Sequence, residues 1–316
     1  MIKATTESTE RTEHKKVCFP WIPCVLWLLL FGVAARAQYE PGARVLLDAH
    51  NCYPYDGRWA DRIDRALSTG TPLAIEQDLV WFNGRSLVAH EHPRGDEPTM
   101  KQYFFEKIRP IVEKALRENK RGDWPLITLN LDFKSEEPEH LRAVWTLLSE
   151  YRDWLTTTPR SVSLDDVQPL HVGPVLVLTG VSDQQRKVFH DDVPIGESLL
   201  VFGATTRPTR TNYHRWMNYS WKAVEPEGQP NAGAWTKDDE ARLTTLVKAA
   251  HDAHLWIRFY TLDGFDPKDE SGGWSASYNF GSLAAARERW QAAILAGVDY
   301  VAIDQYELFR DTLTQR

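Results

Sequence analysis

The sequence predicts a single-domain α/β fold, the (β/α)8 TIM barrel. Three observations predict it. Eight short apolar runs of strand length recur between residues 45 and 303. Amphipathic helical stretches separate most of them. No Gly-rich dinucleotide fingerprint follows any of the runs, which weakens the alternative, a doubly wound open sheet. Composition agrees: of 316 residues, 42% are hydrophobic and 26% charged, which excludes disordered, collagen-like and coiled-coil classes. Lys and Arg number 37 against 44 Asp and Glu, for a net charge of −7. With no basic block either, a nucleic-acid partner is not expected.

The first element is an address. Residues Met1 to Lys16 are polar and end in Lys15 and Lys16, and Val17 to Ala35 then carries no charge. The run from Cys24 to Ala34 suits an h-region, and Ala35-Arg36-Ala37 offers small residues where a signal peptidase reads. Residues 1–37 are therefore expected to be a signal peptide cleaved after Ala37, leaving a secreted or periplasmic body, residues 38–316. The rival is a membrane anchor formed by residues 17–35, which Pro20 and Pro23 disfavour. Cys18 and Cys24 leave with the leader, so Cys52 has no disulfide partner and reads as a buried thiol.

The body follows in order. Val45–Ala49 reads as the first strand, and Trp59–Ser68 as the helix that returns from it. Leu73–Leu79 is the second strand. Trp81 to His90 reads as a hairpin on the Asn83-Gly84 turn, the dipeptide that a tight two-residue loop favours. A helix over Met100–Asn119 leads to Ile127–Phe133, and one over Glu139–Leu155 leads to Val175–Leu178. Leu199–Phe202 and Met217–Ser220 are the next two strands, with thin connections before each, so the barrel is expected to be irregular there. The Asp238–Ala253 helix, Trp256–Tyr260, the Leu283–Ala296 helix and Tyr300–Ile303 close the set.

The carboxyl ends of barrel strands form the active face. Glu76 and Asp78 are two apart on a strand, so both point one way, ~7 Å apart along the chain. Asp132 and Lys134 repeat that spacing on the next strand. Carboxylates converging on a barrel mouth require a cation, a proton or a partner. Three of them, with no Cys or paired His nearby, favour one hard divalent cation, Mg²⁺ or Ca²⁺, over zinc. The other reading is a salt-bridged polar layer, and spacing alone leaves both open. His50 and His90 each follow an apolar strand beside this cluster, and a histidine pair suits proton transfer in both directions.

The ordered set His50-Asn51, Ile75-Glu76-Gln77-Asp78, Val88-Ala89-His90-Glu91 and Leu131-Asp132-Phe133-Lys134 resembles the phosphatidylinositol phospholipase C-like phosphodiesterase superfamily. Within it the chain is most similar to the branch of glycerophosphodiester phosphodiesterases and sphingomyelinase D-like enzymes, nearest the altered-inheritance-of-mitochondria type of protein. The runs Trp256 to Asp263 and Gly297 to Asp304 resemble the last two strands of these barrels. The resemblance implies a metal-dependent phosphoric diester hydrolase acting on a lipid-derived or glycerol phosphodiester. It implies Glu76, Asp78 and Asp132 as metal ligands, His50 and His90 as the acid/base pair, and Lys134 as the neutraliser of a phosphate oxygen. Asn51 would orient the phosphate. Two features depart from the pattern. Asn51 stands where glycerophosphodiesterases carry Arg, and Cys52 lacks the partner of the sphingomyelinase D disulfide, so head-group specificity does not carry over.

Arg258 and Tyr260 share one face of their strand and are candidates for binding substrate. The alternative for Arg258 is a structural pairing to a neighbouring acid. Tyr213, Trp216, Tyr219, Trp221 and Trp235 form an aromatic-rich segment, read as core packing before a lipid-facing cover. Trp274 and Tyr278, with Gly272 and Gly273, read as a loop where a lid would sit. Expected partners are a small-molecule or lipid substrate and a transient membrane-surface contact, while oligomeric state is left open. Two other functions suit such a barrel: a glycoside hydrolase, which would not need the histidines, and a binding protein without turnover.

Overall fold

A computed structural model describes residues 39–54, 59–265 and 278–314. The predicted leader lies outside the described residues, as do Gly272, Gly273 and Trp274 of the predicted loop. Among the described residues, no helix is long and apolar enough to cross a membrane.

The barrel is closed. Strands β1 (Leu46–Ala49), β2 (Leu73–Phe82), β4 (Ile127–Phe133), β6 (Val175–Thr179), β8 (Phe202–Ala204), β9 (His214–Ser220), β10 (Trp256–Tyr260) and β11 (Tyr300–Ile303) pair in parallel around a ring. The ring shuts where Asp48 and Ala49 of β1 face Ala74 and Ile75 of β2, and where Leu46 of β1 faces Tyr300 of β11. An eighth parallel pairing that returns to the first strand leaves no edge, which is the (β/α)8 barrel the sequence predicts.

Helices α1 (Arg62–Ser68), α2 (Glu106–Glu118), α3 (Pro138–Glu150), α5 (Lys237–Asp252), α6 (Leu283–Ala296) and α7 (Tyr306–Thr314) cover the outside. The thin connections are as expected. Only the single turn α4 (Asp183–Arg186), extended by a π turn, follows β6, and no helix lies between β8 and β9. Elsewhere the caps are built in. Thr236 and Asp239 form a reciprocal capping box at the start of α5, and Asn119 takes φ 50° to end α2.

Several boundaries differ from expectation, among them the first helix, which starts at Arg62 rather than Trp59. Leu199–Phe202 is not one strand. Ser198–Leu199 (β7) pairs antiparallel with Thr158–Pro159 (β5) outside the barrel, and the barrel strand starts only at Phe202. Leu199, Leu200, Val201 and Phe202 are all fully buried, so the crossing segment is as apolar as the strand. Gly203 then lies so close to Tyr213 that a Cβ would overlap the ring. The next strand starts at His214 rather than Met217, because Arg215 is a charged residue buried within it. The second strand runs on to Phe82, becoming one arm of the predicted hairpin with β3 (Arg85–Val88). Asn83 and Gly84 both take positive φ at its turn. The helix expected to reach Leu155 ends at Glu150, and a 3₁₀ turn over Arg152–Trp154 completes that stretch.

Strand alternation separates two cores. Leu47, Leu73, Ile75, Leu129, Val177, Ile257 and Val301 pack outward under the helices. Leu46, Ala74, Leu176, Trp216, Trp256 and Tyr300 fill the barrel floor. On five strands the residue one step of that parity nearer the mouth is polar: Asp48, Glu76, Asn130, Asn218 and Arg258, while Leu178 and Ala302 stay apolar. One strand parity therefore runs from an apolar floor to a charged mouth. Tyr213, Trp216 and Trp221 are fully buried, matching the packing reading of that segment, and Cys52 is buried with its thiol pushed well up by desolvation.

Candidate active site

The mouth holds a cavity of about 310 Å³. His50, Asn51, Glu76, His90, Asp132, Lys134, Arg258 and Tyr260 all line it, joined by Asn130, Asn218 and Tyr278. Asp78, the remaining predicted site residue, lies beneath the lining and is fully buried. Residues from strands far apart in sequence thus converge because each occupies the same level of the barrel.

The three predicted ligands form one cluster. Carboxylate oxygens of Glu76, Asp78 and Asp132 lie within 4.8 Å of one another. Lys134 Nζ donates to Asp132 Oδ2 at 2.7 Å and sits 3.3 Å from Asp78 Oδ2. Among the described residues, neither oxygen of Asp78 accepts a hydrogen bond. Burial, then the charges of Glu76 and Asp132, hold Asp78 far above the ordinary carboxylate range. A buried carboxylate without hydrogen-bond donors, facing two more carboxylates, suits a hard cation, and the all-oxygen ligand set fits Mg²⁺ or Ca²⁺.

Glu76 is held from the other side. Arg258 donates to Glu76 Oε2 and to Asp48 Oδ2, and its Nη1 donates to Asn218 Oδ1 at 3.1 Å. The guanidinium is therefore shared among three fixed partners. This geometry matches the paired-acid reading of Arg258 rather than an open substrate donor. Burial opposes ionisation of Glu76, but His50 and Arg258 outweigh it and bring the carboxyl down to about 2.

His50 follows β1 and is locked in place. Its Nδ1 lies 2.9 Å from Asp304 Oδ1, and its Nε2 faces Glu76 Oε1 at 3.7 Å. Asp304 Oδ2 in turn accepts from Arg62 Nη1 at 2.9 Å, and its backbone N–H donates to Asp263 Oδ1 at 2.7 Å. Tyr306 Oη donates to the His50 carbonyl at 2.7 Å. Burial lowers the imidazole, yet Glu76 and Asp304 prevail and raise it to about 9. Asn51 takes φ 52°, a left-handed conformation that Asn tolerates better than most residues. This turns its backbone N–H toward Glu76 Oε1 at 3.4 Å and its side-chain amide toward Asp304 at 3.1 Å.

His90, beyond the hairpin, stacks on Tyr53 with ring centroids 5.9 Å apart. Burial and the Lys134 charge lower its pKa, the opposite of His50. Two imidazoles on one cavity thus favour different protonation states at neutral pH. Tyr260 stacks on His50 at 6.2 Å.

Sequence reasoning did not assign Asp304, Asp263 or Arg62 to the site. The signal for Asp304 was present, since it directly follows the last barrel strand, where side chains reach the mouth. His50, Asp263 and Asp304 make a second group of close ligand atoms, but Arg62 and Asn51 already occupy Asp304.

No protein-family model matches the chain, and no curated protein matches it. Among solved structures, the chain is similar to a glycerophosphoryl diester phosphodiesterase from Parabacteroides distasonis. The two share 13% identity and a TM-score of 0.47 over 90% of this chain and 92% of that one. It is also similar to a putative fructose-1,6-biphosphate aldolase from Coccidioides immitis, at 14% identity and TM-score 0.33, over 87% and 77% of the two chains. The assignment of a closed eight-stranded α/β barrel to this chain rests on its own strand pairing.

Proposed function

We propose that this chain is a phosphoric diester hydrolase that uses one divalent cation, Mg²⁺ or Ca²⁺, and acts on a lipid-derived or glycerol phosphodiester. One observation carries the reading: a single cavity lies against a carboxylate triad, whose Asp78 accepts no hydrogen bond among the described residues, and is lined by a lysine and two oppositely shifted histidines. The superfamily resemblance of the His50, Glu76–Asp78, His90 and Asp132–Lys134 motifs supports the same chemistry. The predicted leader supports an exported enzyme, cleaved after Ala37.

The residues divide the work as follows. Glu76, Asp78 and Asp132 would hold the cation, which when bound supplies positive charge to the phosphate oxygens. Lys134 adds a second positive charge from the cavity wall. His90, neutral at pH 7, takes the proton of the attacking hydroxyl. His50, charged at pH 7 and fixed by Asp304, gives a proton to the leaving alkoxide. Asn51 and Tyr260 orient the phosphate and its substituent, and Arg258 keeps Glu76 in position.

The test is hydrolysis of bis(p-nitrophenyl) phosphate and glycerophosphocholine with Mg²⁺, with EDTA, and by His50→Ala and His90→Ala. The expected result is cation-dependent release that both variants lose. Release unaffected by EDTA and by both substitutions would overturn the mechanism.

A further inference from the structure

We propose that the opposite, N-terminal end of the barrel carries a binding site for a small oxyanion with an apolar substituent, built around Arg215 and Arg210. This inference does not depend on the catalytic reading. The site is a cavity of about 280 Å³. Its lining comes from segments just before or at the start of strands: Leu170 before β6, Arg210 and Arg215 around the start of β9, His254 and Trp256 around the start of β10. The mouth residues Asn218, Arg258 and Tyr260 lie further along β9 and β10, so the apolar barrel floor separates the two cavities.

Arg215 is the main observation. It is 1% exposed, and among the described residues no carboxylate lies within ion-pair distance of it. Its Nη2 donates to the Gln168 carbonyl at 2.9 Å and its Nε to the Asn212 carbonyl at 3.3 Å. Its Nη1 makes no hydrogen bond among the described residues. The other three buried arginines each face an acid: Arg62 meets Asp304, Arg258 meets Asp48 and Glu76, and Arg289 meets Glu225. A guanidinium keeps its proton, so a buried one requires a counter-charge. Among the described residues, Arg215 alone of the four lacks one.

A second arginine strengthens the case. Arg210 lines the same cavity, and its Nε is buried without a hydrogen-bond partner among the described residues. Burial first, then the nearby Arg210 charge, lower the Arg215 guanidinium. Glu40 is the one carboxylate in the lining, and it makes no ion pair with either arginine among the described residues. Two unpaired guanidiniums suit bidentate recognition of phosphate or carboxylate oxygens. The indole of Trp256 and the side chain of Leu170 give an organic substituent an apolar wall.

The experiment is isothermal titration of the full chain, in EDTA, with inorganic phosphate and with phenylphosphonate. Lys134→Ala serves as the control for anion binding at the catalytic mouth. The expected result is that both anions still bind Lys134→Ala, phenylphosphonate more tightly, whatever binding the catalytic mouth adds in wild type. Arg210→Gln is expected to weaken binding about tenfold or more. Glu40→Gln, which removes the only acid in the lining among the described residues, is expected to strengthen it. Both substituted positions are partly exposed, so the fold is retained, and matching unfolding midpoints check this. Binding that is lost in Lys134→Ala and intact in Arg210→Gln would overturn the proposal, as would the absence of binding by either anion.

Discussion

His50 Nδ1 lies 2.9 Å from Asp304 Oδ1, so the residue that follows the first barrel strand is fixed by the residue that follows the last, 254 positions away. The two strands are neighbours in the ring, where Ala49 faces Ile303. Closure of the barrel therefore assembles this pair. Asp304 does not reach the cavity lining, so it acts through His50 as a positioning residue. It sets the tautomer in which Nδ1 is protonated and Nε2 faces the mouth.

Asp304→Asn is expected to keep the fold and lower kcat by about 10²–10⁴-fold with little change in KM, because the amide offers the wrong hydrogen-bonding partner to Nδ1. The alkaline limb of the pH–rate profile is expected to move to lower pH in the same variant, as His50 loses the carboxylate that raises it. Steady-state kinetics across pH check both. A variant with wild-type kcat and an unmoved alkaline limb would remove Asp304 from the mechanism.

The same carboxylate gives the fold an acid-sensitive window. Burial opposes ionisation of Asp304, but Arg62 and His50 outweigh it and hold the group at about 2 in the folded chain. The ordinary value is 3.8. A depressed carboxylate contributes stability that is complete above its unfolded pKa and is lost as pH falls through the folded one. The expected loss is about 2 kcal/mol between roughly pH 5 and pH 2. Urea unfolding of wild type and Asp304→Asn at both pH values isolates it, since the variant lacks this term. Parallel stability curves for the two proteins would refute it.

Much of the barrel and the mouth was legible because both rest on local spacing. Glu76 and Asp78, and Asp132 and Lys134, share a face by the two-residue strand period, and the barrel puts those faces at one mouth. What spacing does not encode is which distant residue completes each charge. The Arg258 pairing with Asp48 and Glu76 spans three strands, and the Asp304 pairing with His50 spans the chain. Local apolarity also misled at Leu199–Phe202, where the segment crossing from the outer β5–β7 pair into the barrel is as buried as the strand itself. Arg215 hid the start of β9 because a charged residue in a strand interior is read as its exterior.

Arg258 is the structural centre of the polar layer. Its removal leaves buried Asp48 without its ion-pair partner and Glu76 with the charge of His50 alone beside it. Arg258→Met is expected to destabilise the protein by about 3–5 kcal/mol. Adding Asp48→Asn should recover part of that loss, because one stranded charge is gone. Denaturant unfolding of both single variants and the double variant completes the cycle. A coupling energy near zero would mean that the two groups do not share the interaction seen between them.

Asp78 separates the cation reading from the structural one by the sign of a stability change. Without a cation, it is a fully buried carboxylate crowded by Glu76 and Asp132, with no hydrogen bond among the described residues. An amide of the same shape carries no charge into that site. Asp78→Asn is therefore expected to unfold at a higher temperature than wild type in EDTA, by about 2 °C for about 1 kcal/mol. With Mg²⁺ or Ca²⁺ the order reverses, because a ligand that binds only the folded state stabilises wild type in proportion to the logarithm of its concentration. The amide of the variant offers a neutral oxygen in place of a charged one, so the variant gains much less. Thermal unfolding over a cation series gives two curves that cross if the triad is a metal site. If Lys134 and Arg258 alone balance a polar layer, neither curve responds to the cation and the lines never meet.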